Sequence, residues 1–285
     1  MNSLNKSFEI VLVDDGSSDY SGLKAKNALT EFNIYNSVLI TLSRNFGKEA
    51  ALSAGLDNAT GGIVIPIDAD LQDPPELIGK MIKKWEEGFD VVYAVRKKRK
   101  GESPFRRLSS YLFYRIIRYL SKTNIPLDTG DFRLMDRDVV EAIKKLPEKT
   151  RFMKGIFSWV GFRQTAIYFN RNPRIGATSN WNFISLWNFA VDGITSFSKV
   201  PLQILSSIGA LISFLAIIYS LFLVIRTIIF GITVPGYASI IVTILFLGGI
   251  QLIALGVLGE YLGRVFEEVK NRPIYLIRSK YKHHN

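Results

Sequence analysis

Two stretches of this sequence are too long and too free of charge to sit in an ordinary soluble core. No charged residue occurs from Val200 to Ile225, and after Arg226 the next is Glu260. Each stretch exceeds the roughly 20 apolar residues that cross a bilayer. They predict two transmembrane helices, about 202–228 and 237–259, joined by the turn FGITVPGY. Lys199 precedes the first span; Lys270, Arg272, Arg278 and Lys280 follow the second; the turn carries no charge. The positive-inside rule then predicts both termini on the cytosolic side, with residues 261–285 a cytosolic basic tail.

The chain ahead of these spans has a different character. Apolar runs alternate with amphipathic helical patterns: strands at FEIVLVDD, YNSVLITLSRN, GIVIPIDAD and FDVVYAVR, helices over about 20–32, GKEAALSAGLDNAT and PPELIGKMIKKWEEG. This alternation predicts an α/β domain over residues 1–180 with a mostly parallel, Rossmann-related sheet, whose ligands gather at the strand carboxyl ends. The polar clusters Asp14–Asp15, Arg44–Asn45, Asp68–Asp70 and Arg96 all fall there. Two further helices, about 103–122 and 181–199, carry an apolar stripe beside arginines or aromatic residues. Core packing explains either stripe alone; beside two spans, both read as helices lying on the membrane surface.

Composition narrows the chemistry. Cysteine is absent, which excludes disulfides and thiolate metal sites, and the two histidines are His283 and His284. A metal would therefore take oxygen ligands, favouring Mg²⁺ or Mn²⁺. The net charge of +11 points to an anionic partner. In an extended strand Asp68 and Asp70 share one side, and two carboxylates facing one point repel unless a cation or a donor sits between them. Asp73, Pro74 and Glu76 read instead as the start of a helix.

The motifs VDDGSSD, LSRNFGKEAAL, IDADLQDPPE, TGDFRLM, GITSFSKVPL and LGGIQLIALGVLGEYLGRVFEEVKNRPIY occur in order over nearly the whole chain. Together they resemble the family-2 glycosyltransferases, and among them the polyprenyl-phosphate glucosyl- and mannosyltransferases. The resemblance implies a GT-A-like fold followed by interfacial helices and two transmembrane helices. It implies inverting transfer of a hexose, above all glucose from UDP-glucose, to a polyprenyl phosphate at the cytosolic face of a bacterial plasma membrane. Asp68, Asp70 and Gln72 are implied metal ligands for Mg²⁺ or Mn²⁺ on the donor diphosphate; Asp14, Asp15, Arg44, Asn45, Gly47 and Asp68 are implied donor contacts. Asp131 matches the catalytic base or orienting group. Arg96, Arg106, Arg107, Arg133, Arg151, Arg171 and Arg174 are candidates for the acceptor phosphate. Two departures stand out. Asn180 occupies a position where relatives commonly carry lysine, and the strand that usually opens the family fold is expected to be missing ahead of FEIVLVDD.

Other readings compete. The donor of the same reaction is GDP-mannose or a UDP-N-acetylhexosamine in the nearest alternative. An inactive homologue acting as a membrane scaffold is the alternative from another class. A processive polysaccharide synthase is disfavoured because Gln-x-x-Arg-Trp is absent. No nucleic-acid partner is expected, since the charge excess accompanies membrane segments; a homo-oligomer is compatible with the membrane relatives.

Overall fold

The computed structural model describes residues 6–70, 72–96, 126, 129–149, 151–169, 200–231 and 236–283. The expected surface helices at 103–122 and 181–199, with Arg106, Arg107, Arg171, Arg174 and Asn180, lie outside the described residues.

The order is β1 (Ile10–Asp14), α1 (Ser21–Glu31), β2 (Ser37–Leu42), α2 (Lys48–Asn58), β3 (Ile63–Val64), a 3₁₀ turn (Pro75–Leu77) leading into α3 (Ile78–Glu86), and β4 (Val91–Arg96). Then follow β5 (Thr129–Asp136), α4 (Arg137–Lys144), α5 (Met153–Trp159), β6 (Gln164–Phe169), α6 (Val200–Phe230), α7 (Tyr237–Lys270) and β7 (Ile277–His283). The α/β reading holds, but the strands form two mixed sheets, ordered β1-β2-β7 and β3-β5-β4-β6. β1 with β2 and β4 with β6 are parallel; β2 with β7, β3 with β5 and β4 with β5 are antiparallel. Among the described residues β1 and β3 are therefore edge strands. Glu9 ties them together, its Oε1 accepting from the backbone N–H groups of Thr60 and Gly61.

β5 is the strand around which the larger core forms. Its side chains alternate between two buried clusters, Phe132 and Leu134 against α3, Met135 against α4 and α5. Burial on both faces explains the adjacent apolar pair Leu134 and Met135, one on each face. α3 adds Ile78, Met81 and Ile82, the i, i+3, i+4 spacing of a single helical face. Each such side chain contributes about 1.5–3 kcal/mol. Asp136 closes the strand and starts α4, its Oδ1 accepting from Asp138 N at 3.0 Å and its Oδ2 from Trp85 Nε1 at 2.7 Å.

Two expectations change. β3 spans only Ile63 and Val64, because Pro66 has no N–H for a ladder bond, so Asp68 and Asp70 sit on the following loop rather than on a strand. The 3₁₀ turn begins at Pro75 with Pro74 at its N-cap, one residue later than the expected start at Asp73.

The C-terminal segment is not a free tail. α7 continues to Lys270, and the chain then returns to pair β7 along β2 from Ser37↔His283 to Leu42↔Ile277. Ser43 N donates to Leu276 O at 2.8 Å, Tyr275 Oη to Asp57 Oδ2 at 2.8 Å, and Lys280 Nζ to Asn58 Oδ1 at 2.6 Å. Lys149 N donates to Glu268 Oε1 at 2.8 Å, so the end of α7 is held at the α/β domain. Within α6 and α7, Val200–Tyr219 and Phe246–Lys270 are long and apolar enough to cross a membrane, and neither is buried against the rest of the chain.

Candidate active site

The loops after β1 and β2 cross at close range. Gly16 adopts φ +66°, and a Cβ there would lie 2.3 Å from the carbonyl carbon of Arg44. Only glycine gives both the left-handed backbone and the space. The crossing lets the Asp15 carboxylate reach the start of α2, accepting from Phe46 N at 2.8 Å and Gly47 N at 2.9 Å. Asp14 turns the other way, its Oδ1 accepting from Ser17 N at 3.1 Å. Arg44 donates to Asn45 O at 3.0 Å and lies 4.1 Å from the centre of the Phe46 ring. Of these expected donor contacts, Asp15 and Gly47 act together to shape the loop entering α2.

Lys48, the first residue of α2, draws two distant segments onto one cation. Its Nζ lies 2.7 Å from Asp68 Oδ2 and 2.6 Å from Asp131 Oδ2. Asp131 stands in an irregularity of β5. Between the pairs Tyr93↔Arg133 and Val95↔Thr129, β4 advances two residues while β5 advances four. Such a bulge re-aims the side chains it contains. Asp131 is nearly buried, with 13% of its side chain exposed, and its Oδ1 has no hydrogen-bond partner among the described residues. Burial alone would raise its pKa; the Lys48 ammonium, with Lys154 and Arg133 behind it, outweighs that and holds the carboxyl below the ordinary range. Burial opposes the charge on Lys48 too, and Asp131 and Asp68 together reverse the effect, holding its pKa above the ordinary value.

Glu49, next in the helix, behaves oppositely. Burial first, and then the Asp131 charge, push its carboxyl up to about 7. Its Oε2 is likewise buried without a hydrogen-bond partner among the described residues. Arg133 lies beneath this group of acids. Its Nη2 donates to Gly130 O at 2.9 Å and its guanidinium sits 3.8 Å from the centre of the Phe157 ring, while burial lowers its pKa to about 10. The arrangement is a mixed-charge cluster, open to solvent at Lys48 and buried at Arg133, with the Asp131 carboxyl held below the ordinary range and that of Glu49 raised.

Residues 1–144 match the model of glycosyl transferase family 2. An uncharacterised glycosyltransferase of Synechocystis sp. is 54% identical over 275 residues, which cover 96% of this chain and 86% of that protein. The chain belongs to glycosyl transferase family 2. The bactoprenol glucosyl transferase of Shigella phage SfX is 46% identical over 95% of this chain and 88% of its own length. A prophage bactoprenol glucosyl transferase homolog of Escherichia coli is 47% identical over 95% of this chain and 88% of its own length. The protein is a glycosyltransferase.

The transferase places its other expected site residues unevenly. Arg96, at the end of β4, lies beside Gly130, where a Cβ would meet its guanidinium at 3.0 Å, whereas Arg133 is the expected arginine whose charge acts on Asp131. Arg151 is spent elsewhere: it donates to Ile143 O at 3.5 Å and Leu146 O at 2.9 Å, closing the end of α4. Asp70 Oδ1 accepts from Gln72 N at 3.1 Å, and Gln72 is buried. Among the described residues no group of three or more acidic or histidine side chains converges as a metal cage. Two carboxylates on one short loop offer the oxygen ligands that a hard divalent cation takes. Asp68 already faces a held cation, the Lys48 ammonium, and Asp70 stands on the same short loop.

Lys48, Glu49 and Lys154 were not among the residues singled out from the sequence. A signal was present for the first. A lysine in the first turn of a helix opposes the helix dipole, so a cation there calls for acidic partners outside the helix.

Proposed function

We propose that this glycosyltransferase moves glucose from UDP-glucose to a polyprenyl phosphate, with inversion, at the cytosolic face of a bacterial membrane. The observation that carries the reading is the pair Asp68 and Asp131 meeting on Lys48, which joins a donor-side carboxylate to a buried ionised one. The relatives named bactoprenol glucosyl transferases support the sugar and the lipid. The two apolar helices support a membrane-held acceptor, and the return of β7 to β2 with the Lys149–Glu268 bond keeps the end of α7 at the α/β domain.

Asp68 and Asp70 are the residues to hold Mg²⁺ or Mn²⁺ on the donor diphosphate. Bound there, the metal neutralises charge on the departing nucleotide. Arg96, beside Gly130, supplies a fixed positive charge for the acceptor phosphate. A polyprenyl phosphate is already largely ionised near neutral pH, so Asp131 serves to orient the attack more than to remove a proton. The phosphate oxygen forms a bond to the anomeric carbon as the bond to UDP breaks, inverting that centre.

The test is transfer from radiolabelled UDP-glucose to undecaprenyl phosphate by membranes containing the full chain and Mg²⁺. Label is expected in the lipid phase, and Asp70→Ala is expected to reduce it by about 100-fold or more. Lipid label from GDP-mannose or a UDP-N-acetylhexosamine alone would replace the sugar. A folded protein that labels lipid from none of these donors would overturn the lipid-transfer reading and favour a scaffold.

A further inference from the structure

Lys48 is shared between two carboxylates, one of which also has Lys154 and Arg133 near it, and it sits at a helix end that disfavours it. Both facts point away from a role in holding α2 together. Its nitrogen is within 2.7 Å of Asp68 and 2.6 Å of Asp131, and just over half of the side chain stays accessible, so the ammonium can shift on its flexible stem. Asp68 is 36% exposed and belongs to a loop; Asp131 is nearly buried in a bulged strand. Of the two partners, Asp68 is therefore the one able to leave.

We propose that Lys48 is a positioning residue that competes with the divalent cation for Asp68, releasing this carboxylate when the metal and diphosphate bind while keeping Asp131 paired and aimed. This inference rests on the transfer reading above and adds to it a residue that couples the donor clamp to the acceptor side. Lys48 holds the two carboxylates against mutual repulsion until a stronger cation takes one. Released from Asp68, its ammonium keeps Asp131 as its partner, so filling the donor clamp restrains the acceptor-side acid. The coupling is reciprocal: weakening the Lys48–Asp68 contact must strengthen metal binding.

The experiment follows Mn²⁺ binding to the detergent-solubilised full chain by the electron paramagnetic resonance of free Mn²⁺, with and without UDP. Lys48→Met is expected to bind Mn²⁺ about tenfold more tightly than the wild type without UDP, while Lys48→Arg stays close to the wild type. Lys48→Gln, which keeps a polar donor without charge, should reproduce the gain and guards against misfolding of the Met variant. In transfer assays Lys48→Met is expected to lose kcat while its metal requirement shifts to lower concentration. Equal Mn²⁺ affinity in wild type, Lys48→Met and Lys48→Gln, with UDP-dependent binding intact, would sink the competition alone. Absence of Mn²⁺ binding to the wild type with UDP present would sink the metal reading and the competition together.

Discussion

Gly47 N donates a 2.9 Å hydrogen bond to Asp15 Oδ2, so the second aspartate of the VDDGSSD motif braces the loop leading into α2. With Phe46 N on the other oxygen, the carboxylate satisfies two backbone donors at once. Asp15→Ala leaves both donors without this partner and is expected to cost about 1–3 kcal/mol. Asp15→Asn, which retains one acceptor, should cost less. Denaturant unfolding measures both, and a UDP-binding titration should show the weakest affinity for Ala, then Asn, then wild type. Equal stability in all three would remove the bracing role.

Two glycines on this path give a graded test. Gly47 has φ +97° and nothing within 4 Å of the point where a Cβ would stand, so alanine there meets backbone strain alone, about 1–3 kcal/mol. Gly16 adds the 2.3 Å approach to Arg44 backbone. Gly16→Ala is expected to be the more destabilising by about 1 kcal/mol or more, with loss of donor binding, since backbone cannot step aside as a side chain can. Thermal unfolding of the two variants in one detergent gives the comparison.

Glu49 supplies a pH dependence of defined sign. Its carboxyl is raised from 4.5 to about 7, so the folded chain binds this proton more tightly than the unfolded chain. Its stabilising contribution is complete below 4.5 and is lost as pH rises through 7. The full contribution is on the order of 3 kcal/mol. Glu49→Gln stays neutral, so its stability should fall less than the wild type's between about pH 5 and pH 8. Asp131 acts in the opposite sense: held below the ordinary range, it stabilises at neutral pH and ceases to do so as acid protonates it. Parallel stability profiles for wild type and Glu49→Gln would contradict the assignment.

The returning strand is expected to be structural. Removing residues 273–285 strips β2 of its β7 partner and uncovers Ile40 and Leu42, both buried. The exposed edge would favour aggregation, read by size-exclusion chromatography after detergent extraction. Tyr275→Phe isolates one contact, the bond to Asp57 Oδ2, and should cost about 1 kcal/mol.

The order of elements from β1 to β4 and the two apolar helices was legible because each leaves a local trace, whereas β5 to β6 was not read from the sequence. The Ile78, Met81, Ile82 spacing and the uncharged runs after Val200 can be read within a few residues of themselves. The same holds for the motifs that carry the family likeness, which is why Asp68, Asp70 and Asp131 could be named at all.

What the tertiary structure decided are relations across long separations. Nothing near Lys48 reveals that residues 20 and 83 positions away share its ammonium, nor that Arg151 turns to α4 while Arg96 lies beside Gly130. The bulge that re-aims Asp131 depends on the β4 register, and β7 was hidden because a mostly exposed, basic strand lacks the apolar alternation that marks strands in sequence. Local chemistry determined which groups this protein carries; only packing across the whole domain determined which of their charges meet.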